Sequence, residues 1–132
     1  MQIHISPNDG VPIYLQIVNQ VKYLVAAGRL VSGEELPPIR VLAERLVVNP
    51  NTVARAYTEL EREGLLVSRP GRGIYVAQPR NDLTRSARDR RLTEQLDRWL
   101  TEAVHLGYSA DEVLGLVAAR VREFRWHADG AA

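Results

Sequence analysis

"VVNPNTVARAY", Val47 to Tyr57, is the stretch on which the fold turns. Val53, Ala56, Tyr57 and then Leu60 recur at helical spacing, yet Pro50 stands just before them with an asparagine on each side. A proline inside a helix removes an N–H and clashes with the preceding turn, but at the first helical position its missing N–H costs nothing. Asn49, one residue earlier, is a good N-cap. The stretch therefore reads as the end of one helix and the start of another. The new helix runs from about Pro50 to Glu63, with Gly64 as its C-terminal stop.

Working outward, a second helix starts near Pro38, with Ile39, Leu42, Ala43 and Leu46 facing inward and Arg40 and Glu44 outward. Two helices joined by about three residues form a helix-turn-helix. A first helix from Pro12 to near Gly28 carries the stripe Ile13, Ile17, Val21 and Leu24. The turn-rich "GRLVSGEELPP" follows it, with room for a very short strand around Leu36. After the third helix, "LLVSRPGRGIYVA" reads as two strands, Leu65–Ser68 and Ile74–Ala77, with Pro70 and Gly71 at the bend. A helix-turn-helix followed by such a hairpin is a winged helix. "DLTRSARDRR", from Asp82 to Arg91, is polar and reads as a linker or the frayed start of a helix. Leu92, Leu96, Trp99, Leu100 and Ala103 then form a helical stripe ending near Gly107. Ser109 and Glu112 make a capping box for a last helix through about Arg125, with Val113, Val117, Val121 and Phe124 on one face. The expected class is mainly α with a small β wing: a winged helix-turn-helix domain over residues 1–80 and a two-helix dimerisation hairpin over 81–132.

Composition narrows the function. The 132 residues are 45% apolar and 25% charged, as in an ordinary soluble globular protein. The apolar runs fall short of a membrane span, and the amino terminus lacks the pattern of a secretory signal. With no cysteine there is no disulfide and no thiolate zinc site. These features fit a cytoplasmic protein with no membrane partner. Net charge is only +1, but of the 17 basic residues Lys22 alone is a lysine. Arginine presents a planar fork suited to phosphates and guanine edges; codon usage is the bland explanation. The three histidines, His4, His105 and His127, are far apart and stand in no catalytic or metal spacing. Gly71 and Gly73 lie in a strand-turn-strand rather than before a helix, so they form no phosphate loop. No enzyme, metal or cofactor is implied.

On the outer side of the third helix, Asn51, Thr52 and Arg55 share one face at i, i+1, i+4. An amide, a hydroxyl and a guanidinium are groups that read base edges. Glu59, Glu61 and Glu63 come later and would repel phosphates, so only the front of the helix can lie deep in a groove. The competing reading makes Asn51 and Thr52 capping residues and pairs Arg55 with Glu59. At the hairpin tip, Arg69 and Arg72 flank Pro70 and Gly71 without an acid among them, which suits phosphate or minor-groove contact. Arg40, at the front of the second helix, adds a further phosphate contact. A winged helix used as a protein-protein adaptor is the rival function, and it predicts a neutral or apolar front on the third helix.

"GRLVSGEELPPIRVLAERLVVNPNTVARAYTELEREGLLVSRPGRGIYVA" resembles the winged-helix domain of the GntR family of bacterial transcription regulators. The likeness covers roughly residues 12–77. It rests on the Leu-Pro-x-x-Arg lead into the second helix, the Asn-Thr-Val start of the third, its Leu-Glu-x-x-Gly-Leu end and the Gly-x-Gly wing. "NPNTVARAY" and the short C-terminal part resemble the YtrA subfamily. The resemblance implies a repressor binding double-stranded DNA at an inverted-repeat operator, beside transporter genes. It puts Arg40, Asn51, Thr52, Arg55, Arg69, Gly71 and Arg72 at operator-contacting positions, and Asn49, at the cap beside them, is a further DNA-binding candidate. Two positions depart from the pattern: Pro38, where many relatives have serine, and Val47, where many have glycine.

The last two helices cannot bury both their apolar faces alone. Leu92, Leu96, Trp99, Leu100, Val113, Val117, Val121 and Phe124 need a partner surface, either the winged domain or a second copy. The subfamily resemblance implies the second copy, as a two-fold homodimer. Trp99, Tyr108 and Trp126 could instead line a pocket for a small effector of unknown kind, although aromatics at this spacing more often serve a core or interface.

Overall fold

In the computed structural model, which describes residues 1–79 and 83–127, the Asn49–Pro50 junction separates α2 (Ile39–Leu46) from α3 (Pro50–Arg62). The Asn49 side chain accepts from the Asn51 N–H at 2.8 Å, and Pro50 occupies the first helical position. α1 (Ile13–Ala26) and α2 each start one residue after a proline, with Pro12 and Pro38 as their N-caps. The described residues divide between two compact units, Met1–Arg80 and Asn81–Ala132.

The first unit is built around α3. Val53, Ala56, Tyr57 and Leu60, the stripe that interrupts the asparagines, are all buried, and α1 and α2 both pack on them. Ile17, Val18, Val21, Leu42, Leu36, Leu66 and Val76 complete one core. At about 25 cal/mol per Å² of apolar surface removed from water, this burial is the dominant stabilising term. The Tyr57 hydroxyl reaches the surface of the core and donates to the Pro37 carbonyl at 2.7 Å. Burial pushes its pKa far up, so the phenol stays a donor. β1 (Leu66–Arg69) and β2 (Gly73–Val76) pair antiparallel, with Leu66 opposite Val76 and Arg69 opposite Gly73. At the tip, Gly71 takes φ +73° and Arg72 N–H donates to Arg69 C=O at 2.9 Å, an arrangement that needs glycine third in the turn. The short strand expected around Leu36 is a single bridge, Glu35 to Tyr75.

The amino-terminal stretch is strapped to α1 by two glutamines one turn apart. Gln16 is buried, yet it accepts from Ser6 N–H and donates to the Ser6 and Val11 carbonyls. Gln20 bonds His4 both ways. Ile3 is thereby laid into the core.

The second unit corrects the expected boundaries. α4 spans Arg85–His105, so of the two readings of Asp82–Arg91, linker or start of a helix, the helix holds from Arg85 onward; Asp82 lies outside the described residues. Thr84 caps it by accepting from Ala87 N–H at 3.1 Å, and the arginines that follow are good helix formers. α5 spans Ala110–Val121 and stops short of Arg125, which leaves Phe124 beyond the helix. Its end tightens as Glu123 and Phe124 N–H groups bond three residues back, and the Trp126 indole N–H donates to the Val121 carbonyl. The capping box is present, with Ser109 and Glu112 bonded reciprocally. The Ser109 backbone N–H, then its hydroxyl, hold the Glu112 carboxyl below its usual range. The stability this contributes is present above the ordinary carboxylate pKa and fades as pH falls through the depressed one. Among the described residues of α4 and α5, the buried ones are Ala103 and Val113, on either side of the connecting turn.

Val47 carries the turn between α2 and α3 at φ 56°, ψ 52°. It is the one non-glycine described residue with positive φ, and it is 88% exposed. A β-branched residue is strained there, by about 1–3 kcal/mol, while glycine adds unfolded-chain entropy worth about 0.5–1 kcal/mol. Val47→Gly should therefore stabilise the chain by about 1 kcal/mol. A higher denaturant midpoint at unchanged slope is the expected result, and a lower midpoint would contradict the strained turn.

Candidate nucleic-acid interface

The front of α3 has the physical character of an anion-seeking surface. Its first turn holds no acidic residue, unlike α5, which opens on Asp111 and Glu112. The positive end of the helix dipole is therefore unopposed. Asn49, Asn51, Thr52 and Arg55 line one open concavity together with Ile13 and Tyr14 of α1. Asn51 and Arg55 are exposed and Thr52 is half-buried. Asn49 contributes its side-chain oxygen to the cap, so only its amide N–H groups are left to face a ligand.

Arg55 does not pair with Glu59. Arg62 takes that carboxylate with two nitrogens, Nε at 3.1 Å among them, and this bond holds the Glu59 pKa below its ordinary value. The Arg55 guanidinium carbon instead stands over the Tyr14 ring, 3.8 Å from its centroid. The other acids at the rear of α3 are also engaged: Glu63 with Lys22 at 2.8 Å and Glu61 with the Ser68 hydroxyl at 2.9 Å. Among the described residues, no salt bridge involves Arg40, Arg55, Arg69 or Arg72.

Arg40 lies in an adjoining concavity with Val47, Val48, Asn49 and Pro50, so Asn49 joins the two. Arg69 and Arg72 line a separate hollow on the wing with Gly33 and Tyr75. There Arg69 stands over the Tyr75 ring at 5.7 Å, and the Tyr75 hydroxyl donates to the Arg72 carbonyl at 3.2 Å. Gly71 forms the exposed tip between them. Gly73 lets β2 pass close to Glu35, whose carboxylate oxygen would sit 2.8 Å from an added Cβ. Sequence reasoning missed Tyr14, because it falls at apolar spacing with Ile17, Val18 and Val21 and so reads as core, while nothing local marks its contact with Arg55.

In the second unit, Leu92, Leu96, Trp99, Val117 and Val121 are exposed, Leu100 and Phe124 are half-buried, and Val113 is buried at the turn. Trp99 and Tyr108 line a small hollow with Glu102, Leu106 and Leu116, but Trp126 does not join them. It lies against Phe124, ring centroids 6.2 Å apart, and closes the end of α5. Among the described residues no helix is long and apolar enough to cross a membrane, and no cluster of three metal-ligating side chains occurs.

A helix-turn-helix with an acid-free reading face and an arginine-tipped hairpin defines a DNA-binding winged helix. Residues 13–76 match the family described as bacterial regulatory proteins, gntR family. The HTH-type transcriptional repressor YtrA of Bacillus subtilis (strain 168) is 36% identical over 111 residues, which are 84% of this chain and 85% of that protein. A transcriptional antiterminator from Listeria monocytogenes EGD-e superposes with a TM-score of 0.79 at 32% identity, covering 92% of this chain and 90% of that one. YtrA from Sulfolobus acidocaldarius, a GntR-family transcription factor, gives 0.59 at 36% identity, covering 72% and 97%. The chain belongs to the GntR family, and it is a transcription regulator rather than an enzyme.

Proposed function

We propose that this chain is a cytoplasmic, sequence-specific repressor that binds an inverted-repeat operator as a homodimer. Residues 1–80 hold the operator, and residues 81–132 join two copies. The observation that carries the reading is the front of α3, where Asn51, Thr52 and an Arg55 free of its neighbouring acid stand together on an acid-free first turn. In the proposed complex this turn enters the major groove, Arg55 and Asn51 address base edges, and Arg40 and the wing hold the backbone. Exposed Leu92, Leu96, Trp99, Val117 and Val121 support a second copy as the partner of α4 and α5. The YtrA-subfamily resemblance of the sequence extends the proposal to control of a transport operon.

Selection from a random duplex pool, followed by binding at several salt concentrations, tests the reading. An inverted repeat bound with a steep salt dependence is expected. Absence of salt-dependent duplex affinity would instead favour a protein-protein adaptor. The wing provides a finer check. Arg72→Ala should weaken binding to all duplexes alike and lower the salt slope by about 1 per subunit. A loss confined to the selected operator would show that the wing reads sequence.

A further inference from the structure

Tyr14 sits in the first turn of α1, the end of that helix fastened by the Gln16 and Gln20 straps. Its ring is half-buried and faces α3, with the Arg55 Cζ 3.8 Å from the ring centroid. A guanidinium carries all its N–H donors in its own plane, so a ring against its flat face leaves the donor fork free. A paired carboxylate would occupy that fork, and the acid one turn along, Glu59, is held by Arg62 instead. Tyr14 and Arg55 also line the same concavity as Asn49, Asn51 and Thr52, so the stack faces the open front of the helix.

We propose that Tyr14 is a positioning residue for base recognition: its ring fixes the plane of the Arg55 guanidinium and so sets the angle at which Arg55 meets a guanine edge. Part of the sequence specificity then resides on α1, outside the helix-turn-helix. The inference rests on the DNA-reading function proposed above. It follows from the geometry of a bidentate contact, which needs the fork coplanar with the base and loses discrimination when the fork can rotate.

The test uses the full chain with Tyr14→Phe and Tyr14→Leu, on the selected operator and its single-base variants at fixed salt. Tyr14→Phe keeps the ring and should rank the variants as the wild type does. Tyr14→Leu should lower discrimination at the base pair read by Arg55 roughly tenfold, with affinity for random duplex held within about twofold. NMR of the DNA-free proteins supplies the second readout. The Arg55 side-chain protons should be ring-current shifted in the wild type and in Tyr14→Phe and unshifted in Tyr14→Leu, and the same spectra show whether each variant is folded. The proposal is overturned if Tyr14→Leu ranks the variants as the wild type does, or if the wild-type Arg55 protons show no ring shift. It is equally overturned if Tyr14→Phe loses as much discrimination as Tyr14→Leu, which would place the effect in the hydroxyl. A wild type that selects no duplex refutes the DNA reading itself, while the DNA-free spectra still report on the stack.

Discussion

Trp99→Asp is expected to convert the proposed dimer to monomers. Trp99 lies on the α4 face that also carries Leu92 and Leu96, and the three are 39%, 66% and 48% exposed in the single chain. α5 adds Val117 and Val121 at 38% and 40%. Apolar side chains exposed to this degree along two helices form a surface that a single chain leaves partly uncovered, which is the mark of an interaction face. In the proposed dimer a second copy covers them at once, and large aromatics contribute most where they become fully desolvated. An aspartate at this position would be buried against apolar side chains, and by two-fold symmetry the penalty enters twice. The effective cost of burying an unpaired charge is several kcal/mol, so a weakening of self-association by about 1,000-fold or more is expected. Light scattering at micromolar concentration should report half the wild-type mass. The winged unit has its own core, so the thermal unfolding of that unit should persist. Operator affinity should fall steeply as well, because two linked reading heads become two independent ones. A variant that remains dimeric by scattering would place the interface elsewhere.

How the sequence discloses this protein depends on the kind of interaction. Asn49, Pro50 and the Val53-Ala56-Tyr57-Leu60 stripe are local signals, in which each residue acts on its own few neighbours, and the helix-turn-helix follows from them without tertiary information. The Ser109–Glu112 box is legible for the same reason. Gln16 is not. It falls between apolar positions, and its burial is tolerable only because the amino-terminal chain comes back to satisfy it. No periodicity announces that return. The start of α4 stays ambiguous between linker and helix in the sequence because its first two turns present arginines where an apolar stripe would mark a helix. The end of α5 is set by an indole folding back on a carbonyl, where sequence rules look for glycine or proline. At the candidate site, the front of α3 could be assembled from spacing alone, but the partner of Arg55 could not. Two acceptable local partners, Glu59 and open solvent, were visible in the sequence, and the ring that takes the guanidinium comes from a helix about forty residues away, across a tertiary contact of the kind that overrides local pattern.

Arg55→Ala should cost about 1–3 kcal/mol per half-site and relax the preference at one base pair. Asn49 and Pro50 define where α3 begins, so Arg55 lies one and a half turns in on the face of Asn51. A long side chain at that depth still reaches the base edges when the first turn enters the groove. A guanidinium there should prefer the O6 and N7 acceptors of guanine. The proposed two-fold dimer would require the effect at symmetric positions, with half-sites about 34 Å apart along the duplex or a multiple of that. Arg55→Lys separates charge from geometry: lysine keeps the cation and loses the fork, so general DNA affinity should survive while discrimination falls. Fold stability offers an independent comparison. The salt bridge that could have explained Arg55 structurally belongs to Arg62 and Glu59. What Arg55→Ala removes from the free protein is an exposed cation–π contact, worth about 0.5–1 kcal/mol. Loss of binding should therefore exceed loss of stability several-fold once both half-sites are counted. Binding of both variants to the selected operator and to each single-base change, at fixed salt, decides the matter. If alanine and lysine rank those duplexes as arginine does, Arg55 reads no base and α3 draws its specificity from Asn51 and Thr52.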